Sequence, residues 1–186
     1  MTSAPPEQAV PANAAPERMV RVWDPLVRIF HWTTVIAFFG AYLFQEPRDL
    51  HETLGLILAG GLAVRVIWGL VGTRHARFAD FVPGPSRLAG YLRDLTEGRE
   101  RRYLGHNRAS GAMIVALIAT LAVTAGSGWL RTMDAWFGSD TMEGLHEAVA
   151  NLTLALVALH VSGVIWESLR HGENLARSMI TGLKRG

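Results

Sequence analysis

Four long apolar blocks are the feature that most restricts how this chain can fold. They cover residues 26–44, 54–71, 110–130 and 145–166. A helix needs about 20 apolar residues to cross a hydrocarbon layer about 30 Å thick, and each block is close to that length. The helices of a soluble bundle would carry polar residues at helical spacing, and these blocks carry few. We therefore predict an all-α fold, an integral membrane four-helix bundle.

The composition removes several kinds of site and suggests a simple domain organisation. The sequence has no cysteine, which excludes disulfides, thiolate zinc sites, iron–sulfur clusters and covalent c-type haem attachment. Residues 1–20 are rich in Pro and Ala and lack the apolar stretch of a secretory signal. We predict that they form a disordered cytoplasmic tail, followed by one transmembrane domain over residues 21–186.

The basic residues predict the orientation of the four blocks. Of the 18 Lys and Arg residues, 15 lie in the segment up to Arg28, in the connection 72–109 or after Trp166. Cytoplasmic loops of membrane proteins are enriched in these residues, so both termini and the middle connection are expected in the cytoplasm. We predict a multi-pass protein of the bacterial inner (cytoplasmic) membrane. Within the middle connection, LRDLTEGRERR predicts a surface helix that meets membrane lipids.

The two outer connections are acidic. Arg48 and Arg131 stand there against seven Asp and Glu residues, a net charge of −5. Such a surface suits a partner with a positively charged patch. The alternative is that acidic residues merely occupy positions where Lys and Arg are disfavoured. No feature of the sequence indicates nucleic-acid binding.

Four of the seven histidines lie in or at the ends of the apolar blocks, namely His31, His51, His146 and His160. His146 and His160 are 14 residues apart, which on a helix is about 21 Å of rise with the side chains on nearly the same side. With the predicted orientation, His31 and His160 share an inner level of the membrane. His51 and His146 share an outer level.

Two imidazoles at each level are typical of haem ligation. A neutral imidazole in lipid needs partners for its ring nitrogens, and a haem b between two helices takes one nitrogen from each side. We predict two haems b, with His31 and His160 as iron ligands of the inner one and His51 and His146 of the outer one. A carboxylate-bridged di-iron site would need its ligands at one level, and a proton-conducting histidine chain would need acids at the bilayer centre.

Two further residues are candidate contacts at the inner level. Arg65, a cation inside the second block, is predicted to meet an anionic haem propionate, with snorkelling to lipid phosphate as the alternative. His106 precedes the third block and could cap it, contact a propionate or bind a quinone head group. Trp129 is an outer candidate for a quinone contact. Glycines such as Gly128 let a porphyrin or another helix approach closely.

Seven motifs follow one another in order between Arg21 and Arg185. They are VWDPLVRIFHW, LHETLG, RVIWGLVGTRHARFADFVP, GHNRASG, LHEAVANL, LHVSGV and GENLARSMITGLKR. Together they resemble the bacterial cytochrome b561 family, and within it the branch that includes the b-type cytochrome subunit of nickel–iron hydrogenases. The resemblance implies a four-helix membrane cytochrome with two b haems and ligands from helices one, two and four. On this chain those ligands are His31 with His160 and His51 with His146, the same pairs as above.

The resemblance also implies a function. Family members carry electrons between the quinone pool and a partner, often a periplasmic dehydrogenase, a hydrogenase-like subunit or a c-type cytochrome. We expect an electron-transfer subunit of an oxidoreductase rather than a stand-alone enzyme. Some relatives oxidise superoxide and reduce quinone, so a superoxide:quinone oxidoreductase is the alternative. A structural membrane anchor is a third hypothesis, and the sequence leaves open whether the chain forms a homo-oligomer.

Overall fold

The structure, a computed structural model, describes residues 19–97 and 107–185. Four of its helices are long and apolar enough to cross a membrane. They are α1 (Pro25–Leu43), α2 (Arg48–Val71), α5 (Arg108–Leu130) and α6 (Asp140–His171). The predicted all-α membrane bundle is therefore confirmed.

The long helices extend beyond the apolar blocks that predicted them. Helix α2 begins at Arg48 rather than at residue 54, and α6 runs from Asp140 to His171 rather than over 145–166. Hydropathy marks where a segment enters lipid, whereas a helix ends where its backbone hydrogen bonds end. Ser139 accepts from the Met142 amide at the start of α6, and Gly172 in the left-handed region, with φ 56°, ends it.

Three short helices lie outside the long ones. In the middle connection, α3 (Phe78–Phe81) and α4 (Pro85–Thr96) follow a single 3₁₀ turn at Arg74–Ala76. Helix α4 covers the first half of the predicted surface helix, and residues 98–106 lie outside the described residues. After α6 comes α7 (Leu175–Thr181).

Packing follows the order of the long helices along the chain. Helix α1 packs against α2, α2 against α5, and α5 against α6. Within the described ranges, α6 forms no such packed pair with α1 or α2. A buried core joins α1, α2 and α5 near the middle of the bundle; its members are Ala37, Phe38, Leu58, Leu62 and Leu121. Leu154 and Val157 of α6 pack against this core.

The two ends of the described chain meet at one end of the bundle. Strands β1 (Met19–Arg21) and β2 (Leu183–Arg185) pair in an antiparallel register with Val20 opposite Lys184. Next to them, Trp23 Nε1 donates to Ser178 Oγ at 3.2 Å. These strands depart from the predicted all-α pattern, and Met19 and Val20 belong to β1 rather than to the predicted tail. Both ends of the described chain therefore lie on the same side of the bundle.

Asp24 ties the first two helices together at that same end. Its carboxylate caps α1 by accepting from the Val27 amide at 2.9 Å. The second oxygen accepts from Trp68 Nε1 at 3.0 Å and from Thr73 Oγ1 at 2.5 Å, at the end of α2. Burial raises the pKa of the Asp24 carboxyl, but these hydrogen bonds outweigh burial and hold the pKa below its ordinary value.

Candidate functional site

His51 and His146 face each other at the end of the bundle away from the termini. Their ring centroids are 6.1 Å apart and their planes are inclined by 75°. A metal–imidazole bond is about 2 Å long and the ring centre lies about 1 Å behind the nitrogen, so two rings on one metal stand about 6 Å apart. The observed separation therefore fits one iron between the rings, a geometry that suits a bis-histidine haem.

Hydrogen bonds orient both of these rings. His51 Nδ1 lies 2.9 Å from the carbonyl oxygen of Ala41, and His146 Nδ1 lies 3.0 Å from that of Thr124. A carbonyl oxygen can only accept, so Nδ1 carries the proton in both rings. Each Nε2 then keeps its lone pair for a metal, the arrangement usual for metal-bound histidines.

Gly128 makes room for the His146 ring. A Cβ added at this position would lie 3.0 Å from Cε1 and 3.4 Å from Nδ1 of His146. Ser127 Oγ lies 3.1 Å from the same Nδ1. Gly128 and Ser127, at the end of α5, therefore fix the position of the His146 ring. Gly128 leaves room for the ring, and the Ser127 hydroxyl group contacts its Nδ1.

His31 and His160 lie at the other level. Both residues are half-buried. Nδ1 of His31 is buried and has no hydrogen-bond partner among the described residues. Trp32 packs edge-on against His31, with ring centroids 5.1 Å apart. Among the described residues, His31 thus lacks the carbonyl contact that orients each ring of the outer pair.

The spacing along α2 and α6 puts Arg65 at the inner level. His51 and Arg65 are separated by 14 residues on α2, as His146 and His160 are on α6. Because both helices run from the His51–His146 pair towards the termini, equal spacing gives an equal rise of about 21 Å. Between the levels, Tyr42 donates to Asn151 Oδ1 at 2.7 Å and links α1 to α6.

Arg65 is enclosed by protein. Its residue is only 3% exposed, and its guanidinium carbon lies 5.0 Å from the ring centre of Phe78 and 5.9 Å from that of Phe81. Nη1 is buried with no hydrogen-bond partner among the described residues. A snorkelling arginine would expose its head group, which Arg65 does not do. An orphaned donor on a buried cation suits an anion such as a propionate.

Of the remaining candidates, Trp129 is not part of these two clusters. Trp129 is 57% exposed at the end of α5, and His106 lies outside the described residues. Over residues 19–97 and 107–185, no group of three or more His, Cys, Asp or Glu side chains could hold a metal ion. Sequence reasoning missed Phe78, Phe81 and Ser127, because a loop helix and a hydroxyl group inside an apolar block give no distinctive signal.

A multi-pass membrane protein with two histidines at each of two levels is the class that this fold and geometry define. The family model for prokaryotic cytochrome b561 matches residues 22–182, and the chain belongs to this family. Family membership makes it a b-type cytochrome that carries haem b and works in electron transfer.

Curated relatives share most of the chain length. A probable Ni/Fe-hydrogenase B-type cytochrome subunit from Azotobacter vinelandii is 24% identical over 211 residues, covering 88% of this chain and 87% of the relative. The protein of the same description from Rhizobium leguminosarum bv. viciae is 24% identical and covers 91% and 90%. That from Rhodobacter capsulatus is 21% identical and covers 88% and 80%. No solved structure matches the chain.

Proposed function

We propose that the protein is a dihaem b-type cytochrome that conducts electrons between the quinone pool and a redox partner on the outer side of the membrane. Each haem would be held by one facing pair of histidines. The single observation that carries this proposal is the His51–His146 pair, whose rings stand 6.1 Å apart with both Nδ1 atoms bound to carbonyl oxygens. With Nδ1 of each ring bound to a carbonyl oxygen, Nε2 is the ring nitrogen left to bind iron.

The inner site would use His31 and His160 as ligands and Arg65 as the partner of a propionate. A buried arginine without a counter-ion is costly, because its charge is taken out of water with nothing to compensate it. Arg65 and His160 lie at the same level, because each is 14 residues after the histidine of its helix in the outer pair. His106 remains a candidate for a propionate or a quinone contact on this side.

The protein's own contribution is to hold two sites apart in a dry environment. Bis-histidine haem b exchanges single electrons and leaves no coordination position for oxygen. The core of Phe38, Leu58 and Leu121 fills the middle of the bundle and excludes water between the levels. The backbone carbonyls of Ala41 and Thr124 keep the outer imidazoles in the tautomer that binds iron.

The proposed orientation places both termini in the cytoplasm and the His51–His146 pair towards the outside of the inner membrane. Excess Lys and Arg at the terminal end support it. The outer connections, with their net charge of −5, would dock a positively charged surface. Since the curated relatives are described as hydrogenase cytochrome subunits, a hydrogenase-like subunit is the first partner to test, before a dehydrogenase or a c-type cytochrome.

Superoxide oxidation at the outer surface is less well supported. It would need a cationic approach to the outer site that attracts an anion. Arg48 is paired with Glu52 at 2.7 Å, and Arg131 with Glu143 at 3.4 Å. The two outer arginines therefore have acidic neighbours and leave little positive field for superoxide.

Ligand variants of the purified protein test the proposal. His146→Ala and His160→Ala should each lower the haem-to-protein ratio by about half. The remaining haem should keep b-type optical bands and show little shift with carbon monoxide. His75→Ala is the matched control, because His75 sits beside Asp80 in the 3₁₀ turn and belongs to neither pair. Its ratio should equal that of the wild type.

Two results would contradict the proposal. An unchanged ratio in both ligand variants would remove the assignment of the two pairs. Complete loss of haem from His160→Ala with the protein still folded would indicate a single site.

Electron delivery is tested by reducing the protein with a quinol in vesicles and following its oxidation by an acceptor on the other side of the membrane. His160→Ala should abolish this oxidation.

A further inference from the structure

Arg65 is a buried cation that no acid neutralises directly. Among the described residues, no carboxylate oxygen comes within 4.0 Å of its guanidinium nitrogens, and Nη1 has no hydrogen-bond partner. Its electrostatic neighbour is Asp24. The Asp24 carboxylate already accepts from the Val27 amide, Trp68 and Thr73, so it does not capture the arginine.

Two phenylalanine rings hold the guanidinium instead. Phe78 and Phe81, one turn apart on α3, lie 5.0 Å and 5.9 Å from its central carbon. Their ring centroids are 5.8 Å from each other, with the planes inclined by 62°. A cation this close to the ring centroid is attracted by the negative face of the ring, and more strongly when water is excluded.

Two glycines seat these rings against the bundle. A Cβ at Gly69 on α2 would lie 2.2 Å from Phe78 Cε2, and a Cβ at Gly111 on α5 would lie 2.3 Å from the Phe81 carbonyl oxygen. Gly69 is four residues after Arg65, on the same face of α2. Because α3 rests on both helices without a side chain between, its rings reach the buried guanidinium.

We infer that Phe78 and Phe81 form an aromatic clamp that positions Arg65 for the anion of the inner site. The clamp attracts the cation without accepting its hydrogen bonds, since an aromatic face uses none of the N–H donors in a directed bond. A carboxylate in the same place would neutralise the arginine and occupy its donors. Both phenylalanines are therefore positioning residues, which act on the inner site through Arg65. This inference rests on the proposed dihaem function.

The test is a redox titration of the full-length, haem-loaded protein. A positive charge near a haem stabilises the reduced form, so Arg65→Leu should lower the midpoint potential of the inner haem. Phe78→Leu should lower the same potential by a smaller amount, because leucine keeps the apolar bulk but has no aromatic face. Phe78→Tyr keeps the aromatic face and should therefore have the wild-type potential. A merely structural role would make leucine and tyrosine similar.

A double variant separates positioning from an independent effect. If Phe78 acts through Arg65, Arg65→Leu combined with Phe78→Leu should have the potential of Arg65→Leu alone. Phe137→Leu is the matched control, since Phe137 lies 5.8 Å from the Arg48 guanidinium in the outer region. It should leave the inner potential unchanged. Should Phe78→Leu fail to assemble, Gly69→Ala replaces it, because the added methyl group displaces the Phe78 ring from its seat.

The possible failures are distinguishable. A wild-type protein with fewer than two haems contradicts the proposed function itself. Two haems with an unchanged inner potential in Phe78→Leu, or in Gly69→Ala where that variant is used, contradict the clamp alone. The clamp is also wrong if Phe78→Leu shifts the potential equally with and without Arg65.

Discussion

The outer and inner histidine pairs are built differently. In the outer pair, both rings are fixed by hydrogen bonds from Nδ1 to carbonyl oxygens, and the rings already stand 6.1 Å apart. In the inner pair, Nδ1 of His31 is buried without a partner among the described residues. The inner level has a buried cation, Arg65, that the outer level lacks. In the proposed outer site, hydrogen bonds hold the two histidine rings in place. The proposed inner site is instead marked by a buried positive charge.

The largest expected effect comes from closing the space beside His146. Gly128→Val should push the ring out of line, because even a methyl group would stand 3.0 Å from Cε1. We expect loss of the outer haem and retention of the inner one, a fall of about half in the haem-to-protein ratio. Gly163→Val is the control, since a Cβ there meets nothing within 4 Å. Equal haem loss from both variants would show that Gly128 has no special role.

The next expected difference is in how firmly the two sites retain haem. The outer ligands each have an oriented ring, whereas His31 lacks the corresponding hydrogen bond. One such bond is worth about 1 kcal/mol, so haem should leave the inner site about fivefold faster on mixing with excess apomyoglobin. Two single-site variants assign the kinetic phases of haem loss. His160→Ala should keep only the outer haem, and His146→Ala only the inner one. Faster loss from the outer site would reverse the comparison.

A moderate effect on stability is expected at the inner end. Asp24→Ala removes the cap of α1 and its link to Trp68 and Thr73. We expect a loss of about 1–2 kcal/mol in unfolding free energy, with the inner haem lost more readily than the outer. Asp134→Ala, at an exposed position in the outer loop, should be close to neutral.

Acid should produce a related change in the wild-type protein. The pKa of Asp24 lies below its ordinary value of 3.8 in the folded state, so its contribution to stability is complete above that pH. It is lost as the pH falls below 3.8 and through the lowered pKa. Asp24→Ala lacks this contribution. Its melting temperature, measured against pH, should therefore fall less steeply over the same acid range. Parallel curves for the two proteins would contradict this assignment.

The smallest expected effect tests the tuning of the outer site. Ser127→Ala removes the hydroxyl group 3.1 Å from His146 Nδ1, while Thr124 keeps its carbonyl contact. A less electron-rich ligand favours reduced iron, so the outer potential should rise by about 20 mV, equivalent to about 0.5 kcal/mol. Ser162→Ala, which removes an exposed hydroxyl bound to its own helix, is the control. A shift of the inner potential instead would assign Ser127 to the other site.

The sequence predicted the long helices well, whereas its assignment of the four histidines as haem ligands stays a prediction. The length of the apolar blocks follows from the thickness of the membrane. The loop charges predict the orientation of the helices, and this orientation places His51 and His146 at the same level. The exact helix ends depend on caps such as Ser139 and on Gly172, which hydropathy does not detect. The residues that hold Arg65 could not be predicted, since Phe78 and Phe81 come from a four-residue helix in a charged connection. The pairing of β1 with β2 joins residues too far apart for local patterns to show.

The most direct measurement of the central claim is the haem content of the fully loaded wild-type protein. We predict two haems b per chain from a pyridine haemochrome assay combined with amino-acid analysis. A redox titration of the same sample should then resolve two one-electron steps. A ratio of one, or an absorption spectrum without a Soret band, would contradict the assignment of both histidine pairs as iron ligands.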